Sequence, residues 1–442
     1  MFRALRHRNY RLFYTGQGIS LVGSWMQRAA MTWLVYRLTD SALWLGIIAF
    51  TSQAPNFFFA PFAGVLADRM SKHQLLRITI IAEGLQATVL AVLVLGNWIE
   101  LWHLVLLSLW LGIASGFETP IRQAYVVDLI GRKDDLPNAI ALNSSMFNLA
   151  RLIGPAVAGL IIHATAGAIV TLRDGRRMEL SGEGLCFLIN AVSYIAVIGA
   201  LGAMRVKERS TAAAREQRFL PYMREGFAYS AATKPIRLVL LLVTIISLTT
   251  MNYVTLLPIF ADRILGGGAD TYGFLTSAVG LGALGGAGFL ASRKKAALLA
   301  PFLRTTLIIF GIGLTLFSLS TNFYLSMGLM ALTGFAMMAT MASCNTLLQS
   351  VVDDDKRGRV MGQYVMAVVG VGPFGSLLAG WMADHVGAPV TVFLGGLSAF
   401  TLAAVMWNEL TPENFLRPAK DGGEPPTETT SSRPESGKIP RP

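Results

Sequence analysis

The sequence predicts an all-α integral membrane protein: twelve transmembrane helices in two pseudo-symmetric six-helix bundles, with both termini in the cytoplasm. Three observations carry that expectation. First, 53% of the 442 residues are hydrophobic and only 14% are charged, whereas a soluble chain carries about 25% charged residues. Too few charges remain to coat a water-facing surface, which excludes an ordinary cytosolic enzyme, a disordered chain and a disulfide scaffold. Second, long stretches free of Asp, Glu, Lys and Arg match the ~20 residues that a helix needs to cross a bilayer core. Third, lysines and arginines fall on alternate loops, the positive-inside pattern.

In chain order, the first six spans are expected over 12–35, 41–67, 74–95, 101–125, 138–163 and 184–204. Four of these hold isolated ionisable residues: Arg28 in the first, Glu83 in the third, Glu118 and Arg122 in the fourth, and Arg151 in the fifth. Spans seven and eight follow over 238–261 and 271–292. The 48 residues 305–352 carry no charge, which is too long for one span and right for two, with the turn at Ser320-Thr321-Asn322. The last two spans are expected over 360–383 and 386–408. Backbone groups in lipid must be satisfied within the segment, which favours helices, and β-barrel alternation is absent. The Arg-rich N-terminus leads into a full-length apolar helix, so no cleavable signal peptide is expected.

The net charge is +11. With the N-terminus placed inside, 30 of the 37 Lys and Arg fall on cytoplasmic segments or, as Arg77 and Arg122, at the inner ends of spans; five fall on outer loops (Arg37, Arg173, Arg176, Arg177, Arg263), and Arg28 and Arg151 lie deeper within helices. The basic excess therefore reports topology, and no nucleic-acid partner is expected. The two cysteines, Cys186 and Cys344, lie in apolar runs and say little about redox compartment. The five histidines are scattered, and neither paired metal-ligand spacing nor a Walker-type phosphate loop occurs. No metal, no cofactor and no ATP site are expected.

The chain divides into residues 1–204, a basic and partly amphipathic linker over 205–234, residues 235–409, and a Pro-, Ser-, Thr- and Glu-rich tail over 410–442 expected to be disordered. Phe219, Tyr222, Met223 and Phe227 give the linker an apolar face for the membrane surface. The two halves echo each other in parallel order. Gly154-Pro155 with Gly159 corresponds to Gly372-Pro373 with Gly375, and GVLADR at 64–69 corresponds to GFLASR at 288–293. Parallel repeats related by an axis along the membrane normal are one architecture of secondary transporters.

The stretch GVLADRMSKH, residues 64–73, lies between the second and third spans. It resembles the signature of the major facilitator superfamily, with Gly64, Asp68, Arg69 and Lys72 matching; Ser71 stands where Gly is usual and His73 where a second basic residue is usual. The Gly154-Pro155 pair resembles the helix-five motif of proton-coupled antiporters in that superfamily, with Ala158-Gly159 in place of Gly-Gly. Residues 120–160 are similar to the branch of macrolide efflux proteins and enterobactin exporters. The resemblance covers about residues 1–409. It implies a monomeric exporter of the bacterial inner membrane that moves small amphiphilic molecules, drugs or siderophore-like compounds, in exchange for protons by alternating access. It also implies that Asp68, Arg69 and Lys72 belong to an inner gate, with Asp128 as partner of Lys72.

Ionisable residues inside a membrane are costly, at ~2.5–3.5 kcal/mol each on insertion scales, and are functional candidates by default. Glu118 and Arg122 are four apart in the favourable order for an intrahelical pair. Arg122 either completes that pair or snorkels to the inner surface. Glu118 either carries the transported proton or is held statically by Arg122; Glu83 either carries the proton or pairs with a neighbouring helix. On helix 1, Ser20, Ser24, Arg28 and Thr32 recur at four-residue spacing, flanked by Gln17 and Gln27. Such a stripe belongs on the bundle interior, where Arg28 binds an anionic or carbonyl-rich substrate or balances a carboxylate. Arg151 has the same two roles open to it, with Glu118 or Glu83 as the carboxylate. The C-terminal half offers only polar handles, Asn252, Asn345, Gln349 and Gln363, so coupling belongs in the N-terminal half. Gly112, Gly116, Gly282 and Gly286 are read as close-packing positions. A lysophospholipid flippase on the same scaffold remains open. A membrane enzyme lacks a nucleophile–base pair, and a non-transporting sensor is expected to carry a further soluble domain.

Overall fold

The computed structural model describes residues 3–130, 133–171, 177–204, 219–291, 299–353 and 356–415. Six long helices come first: α1 (Arg8–Thr39), α2 (Ala42–Arg69), α3 (Lys72–Leu95), α4 (Leu101–Leu129), α5 (Leu136–Thr165) and α6 (Gly182–Gly202). A shorter helix, α7 (Phe219–Ala232), follows. Then come α8 (Lys234–Ile264), α9 (Ala269–Ala291), α10 (Leu299–Leu319), α11 (Phe323–Val351), α12 (Arg357–Val386) and α13 (Ala388–Val405). A small hairpin, β1 (Ile169–Thr171) against β2 (Arg177–Glu179), joins α5 to α6 with Ile169 opposite Glu179. The hairpin is a departure from the all-helical expectation.

Among the described residues, 11 helices are long and apolar enough to cross a membrane. The helix that does not reach that apolarity is α1, because Gln17, Ser20, Ser24, Gln27 and Arg28 dilute its hydrophobic residues. It is nonetheless 32 residues long and packs along α5 and α6. The expected turn between α10 and α11 falls where the sequence put it. Asn322 caps α11, its side-chain oxygen accepting from the Leu325 N–H at 3.0 Å.

Polarity is inverted relative to a water-soluble bundle. On α3, Ile78, Ile81, Leu85 and Val92 face outwards, while Glu83 and Gln86 are buried. On α6, Leu188, Ile189, Val192 and Ile195 are exposed, while Asn190 is fully buried. In lipid, outward apolar side chains cost nothing and inward polar ones find partners. Exposed Trp98, Trp102 and Tyr324 sit near helix ends, where aromatic rings suit the bilayer interface.

Helices α1–α6 pack with one another through the α1–α5, α1–α6, α2–α4 and α3–α6 contacts, and α8–α13 through α9–α11, α10–α11 and α10–α13. The two groups meet along α5 against α9 and along α2 against α12. Glycines set the closest approaches. A Cβ on Gly286 would lie 2.6 Å from the Phe335 carbonyl oxygen, and one on Gly112 2.8 Å from that of Ser52. Backbones therefore touch directly, as small-residue spacings permit.

Residues 205–218 of the linker and 416–442 of the tail lie outside the described residues. The tail departs from the expected disorder at its start: Pro412–Phe415 forms a helical turn with Leu410 and Phe415 buried. Apolar side chains at the two ends of an otherwise polar segment anchor it to the bundle. Lys234 also ties down Glu409, at 2.9 Å.

Candidate functional site

A cavity of about 350 Å³ lies between the two helix groups. One wall is formed by α1, α2, α4 and α5, the other by α8, α9 and α12. Local backbone irregularity shapes the second wall. Helix α8 passes through a π-helical turn at Ile246–Thr250, and α12 through another at Met366–Gly370, directly before Pro373. Proline lacks an N–H and crowds the carbonyl four residues earlier, so the helix must widen there. In α8, Asn252 repairs the break. Its amide nitrogen donates to the Ser247 carbonyl at 2.8 Å and the Leu248 carbonyl at 3.1 Å, and its oxygen accepts from the Ser376 hydroxyl at 2.9 Å. Such π turns recur at functional sites, and both border the cavity.

Arg28 and Arg151 are the only charged residues lining the cavity among those described; Gln53, Asn56, Ser115, Asn252 and Thr276 supply neutral polar groups. Both arginines approach the ring of Trp25. The guanidinium carbon of Arg28 lies 5.3 Å from its ring centroid and that of Arg151 5.7 Å. Phe147 meets the same indole edge-on at 5.5 Å. Arg28 is open to the cavity although it sits deep in the protein.

Behind α1 lies a buried ionisable cluster that does not line the cavity. Glu118 and Arg122 approach to 2.7 Å, both largely buried. Arg122 therefore completes the intrahelical pair and does not snorkel; it is 7% exposed and turned into the bundle. Glu83 accepts a hydrogen bond from the Tyr194 hydroxyl at 3.1 Å, and Tyr194 in turn lies 3.3 Å from the Ser24 hydroxyl. No basic nitrogen of the described residues lies within ion-pair distance of Glu83, although Glu118, Arg122 and Arg28 act on it at longer range. Arg151 holds neither Glu83 nor Glu118; its charge acts on Tyr253 instead.

Along the polar stripe of α1, Arg28 and Thr32 face the cavity, and Gln27 borders it while entering a buried amide chain. Asn190 donates to the Gln27 oxygen at 2.7 Å, Gln27 to the Gln86 oxygen at 2.9 Å, and Gln86 to the Leu107 carbonyl at 3.2 Å. The chain ties α6, α1, α3 and α4 together. Lone amides at positions 86 and 190 of apolar spans were the available signal, yet they give no indication of partner.

The helix-five residues act through contact. A Cβ on Gly154 would lie 2.6 Å from Trp25 Cβ, and one on Gly159 2.5 Å from the Ala269 carbonyl oxygen. Gly154 thus seats Trp25 against α5, and Gly159 lets α5 meet α9 across the two groups. Pro155 lines the cavity.

In the 64–73 motif, Gly64, Asp68 and Arg69 lie on the last turns of α2, and their side chains lie outside the described ones. Lys72 Nζ lies 2.8 Å from Asp128 Oδ2. Both belong to the α1–α6 group, so this pair by itself joins α3 to α4 and does not bridge the two groups. Ser71 adopts φ −59° and accepts from the Gln74 N–H at 3.4 Å, capping α3. A negative φ explains why serine serves where glycine is usual. His73 lies 2.8 Å from the Tyr125 hydroxyl.

The end of the bundle where α1 meets α2 carries polar contacts between the groups. Asp384, in the last turns of α12, accepts from the Ser41 hydroxyl at 2.8 Å, the Ala42 N–H at 2.7 Å and the Leu43 N–H at 3.2 Å. It thereby caps α2 from the other group. Tyr36 donates to Asp262 at 2.7 Å, and Arg263 pairs with Asp40. An N-cap contributes ~0.5–2 kcal/mol. Asp384→Asn retains one acceptor and loses the charge, so this end is expected to open several-fold more often. Double electron–electron resonance between spin labels on the α1–α2 and α12–α13 turns reads this directly; an unchanged distance distribution would contradict a latching role.

Residues 1–415 match the family described as transmembrane secretion effector. The chain is similar to the staphyloferrin A transporter of Staphylococcus aureus, 26% identical over 90% of this chain and 95% of that protein. It is also similar to the multidrug efflux pump Tap of Mycolicibacterium fortuitum, 26% identical over 88% of this chain and 91% of that protein. Among solved structures, a bacterial homolog of the human lysosomal transporter Spinster, inward-facing and occupied, superposes with a TM-score of 0.71 at 13% identity. That match covers 93% of this chain and 99% of the other.

Proposed function

The chain belongs to the transmembrane secretion effector family of the major facilitator superfamily, a family of multi-pass membrane transporters and not of enzymes; from that premise we propose that it exports small amphiphilic molecules by proton antiport. The two relatives are by name a siderophore transporter and a multidrug efflux pump, which supports a drug- or siderophore-like cargo. The observation that carries the reading is the cavity between the two helix groups, bordered by π turns and lying beside a buried carboxylate cluster. In this reading α1 is the twelfth span, residues 1–204 and 235–409 are the two moving bundles, and both termini face the cytoplasm of a bacterial cell. The latched end around Asp384 then faces outwards, and cargo enters the cavity from inside.

Glu83 is the proton carrier in this account. Glu118 is occupied by Arg122, whereas among the described residues Glu83 has only a tyrosine hydroxyl for partner and can gain or lose a proton without stranding a paired cation. Arg28 stands between Glu83 and the cavity and passes the charge change to the cargo site. Lys72 and Asp128 brace the motif that carries Asp68 and Arg69 at the inner gate. Proteoliposomes with an imposed pH gradient test the proposal, using lipophilic cations, macrolides and catecholate siderophores as probes. Gradient-dependent movement of any of them is expected; flux indifferent to the gradient for every probe would overturn proton coupling.

A further inference from the structure

We propose that the cargo carries anionic groups, carboxylate or phosphate, and that Arg151 and Arg28, which both approach the Trp25 indole, receive them. This rests on the exporter reading and deepens it by naming the charge of the substrate. Both guanidiniums approach one indole ring, at 5.3 Å and 5.7 Å from its centroid, so they are no farther apart than the sum of those distances. That places both within reach of one small molecule. The cavity of about 350 Å³ falls within the ~300–1,000 Å³ range of small-molecule sites.

The charge inventory is one-sided. No Asp or Glu lines the cavity among the described residues, and none of their carboxylates ion-pairs with Arg28 or Arg151. Glu83 and Glu118 act on Arg28 from behind the cavity wall. Arg151 has the Tyr253 hydroxyl as its electrostatic neighbour, a group that is uncharged at physiological pH. An arginine in the middle of a membrane protein is expensive unless its fork is used. Its planar donors match carboxylate and phosphate oxygens in pairs. The indole that both approach offers a flat apolar surface for the rest of the cargo, and it is held in place by Phe147 and by the close approach of Gly154. A cationic cargo would meet two like charges and, among the described residues, no carboxylate, which selects against it.

The test is equilibrium binding to the full-length protein in detergent, which needs no gradient. The probes are naphthalene dicarboxylate, its dimethyl ester, tetraphenylphosphonium, lysophosphatidylglycerol and the zwitterionic lysophosphatidylcholine. At least one anion is expected to bind about tenfold or more tightly than its uncharged or zwitterionic counterpart, and tetraphenylphosphonium is expected to bind weakest. Preference for the dicarboxylate assigns a soluble anion, and preference for lysophosphatidylglycerol assigns a lipid headgroup; both support the proposal. Arg151→Gln should remove the preference, while Arg151→Lys retains part of it by keeping the charge. The wild-type ranking stands whether or not a variant folds. Neither anion exceeding its counterpart, or tetraphenylphosphonium binding tightest, would overturn the proposal. If the ranking holds but flux ignores the pH gradient, only the antiport reading fails; gradient-driven flux without anion preference defeats only this inference.

Discussion

Glu83→Gln is expected to abolish gradient-driven export, by at least about tenfold, while leaving substrate binding and substrate exchange intact. Glutamine has the shape of a protonated glutamate, and its carbonyl can still accept the Tyr194 hydroxyl that now lies 3.1 Å from Glu83. The variant therefore freezes the protonated state without opening a hole. Glu118→Gln should behave differently. It leaves the buried Arg122 guanidinium, now 2.7 Å from Glu118, without its counter-charge, and stranding one member of a buried pair costs ~3–5 kcal/mol. Its signature is a lower melting temperature in detergent. Flux and thermal stability measured on both variants separate the roles. A Glu83→Gln protein that still exports against a pH gradient would remove Glu83 as the carrier.

Gly159→Leu carries the second large effect. Its Cβ would sit 2.5 Å from the Ala269 carbonyl oxygen and 3.0 Å from Asp270 Cα, both backbone atoms that cannot turn aside. Helices α5 and α9 could then no longer meet as they do here, and the latched end would be held apart. Transport is expected to fall more than about tenfold through loss of one of the two alternating states, since packed interfaces are bistable and do not deform continuously. Spin labels on α5 and α9 should report a longer distance. Gly199→Leu is the control, because a Cβ there meets nothing within 4 Å. Equal flux from both variants would show that the α5–α9 contact does not form part of the cycle.

An anionic cargo has an energetic consequence. Proton entry and anion exit each move charge in the direction favoured by an inside-negative potential, worth about 2.3 kcal/mol per elementary charge per 100 mV. Export of a dicarboxylate probe should therefore be accelerated by an imposed potential even at equal pH on both sides, and export of its diester less so.

The helices were legible in the sequence because lipid demands length and apolarity, and both are countable. The turn at Ser320-Thr321-Asn322 and the small-residue contacts at Gly112 and Gly286 followed from spacing. The site was legible only as depth. Arg28, Glu83, Glu118 and Arg151 announced themselves as charges within apolar runs, but rotation about each helix axis was hidden, because lipid-facing and packing faces are equally apolar. That is why spacing alone leaves Glu83 and Glu118 open as partners of Arg151, whereas α5 turns it to Trp25. The role of Asp384 has no local signature, because its partners at the start of α2 lie more than 300 residues away. Tyr194, Gln86 and Asn190 gained meaning only once α1, α3 and α6 were side by side.

The most direct test of proton exchange is to let a cargo gradient move protons. Wild-type proteoliposomes would hold a pH-sensitive dye, with the potential clamped and no pH gradient imposed, and would be exposed to an outward gradient of whichever probe binds. The account predicts proton movement opposite to the probe, absent in Glu83→Gln. Protons moving with the probe, or not moving while the probe crosses, would contradict it.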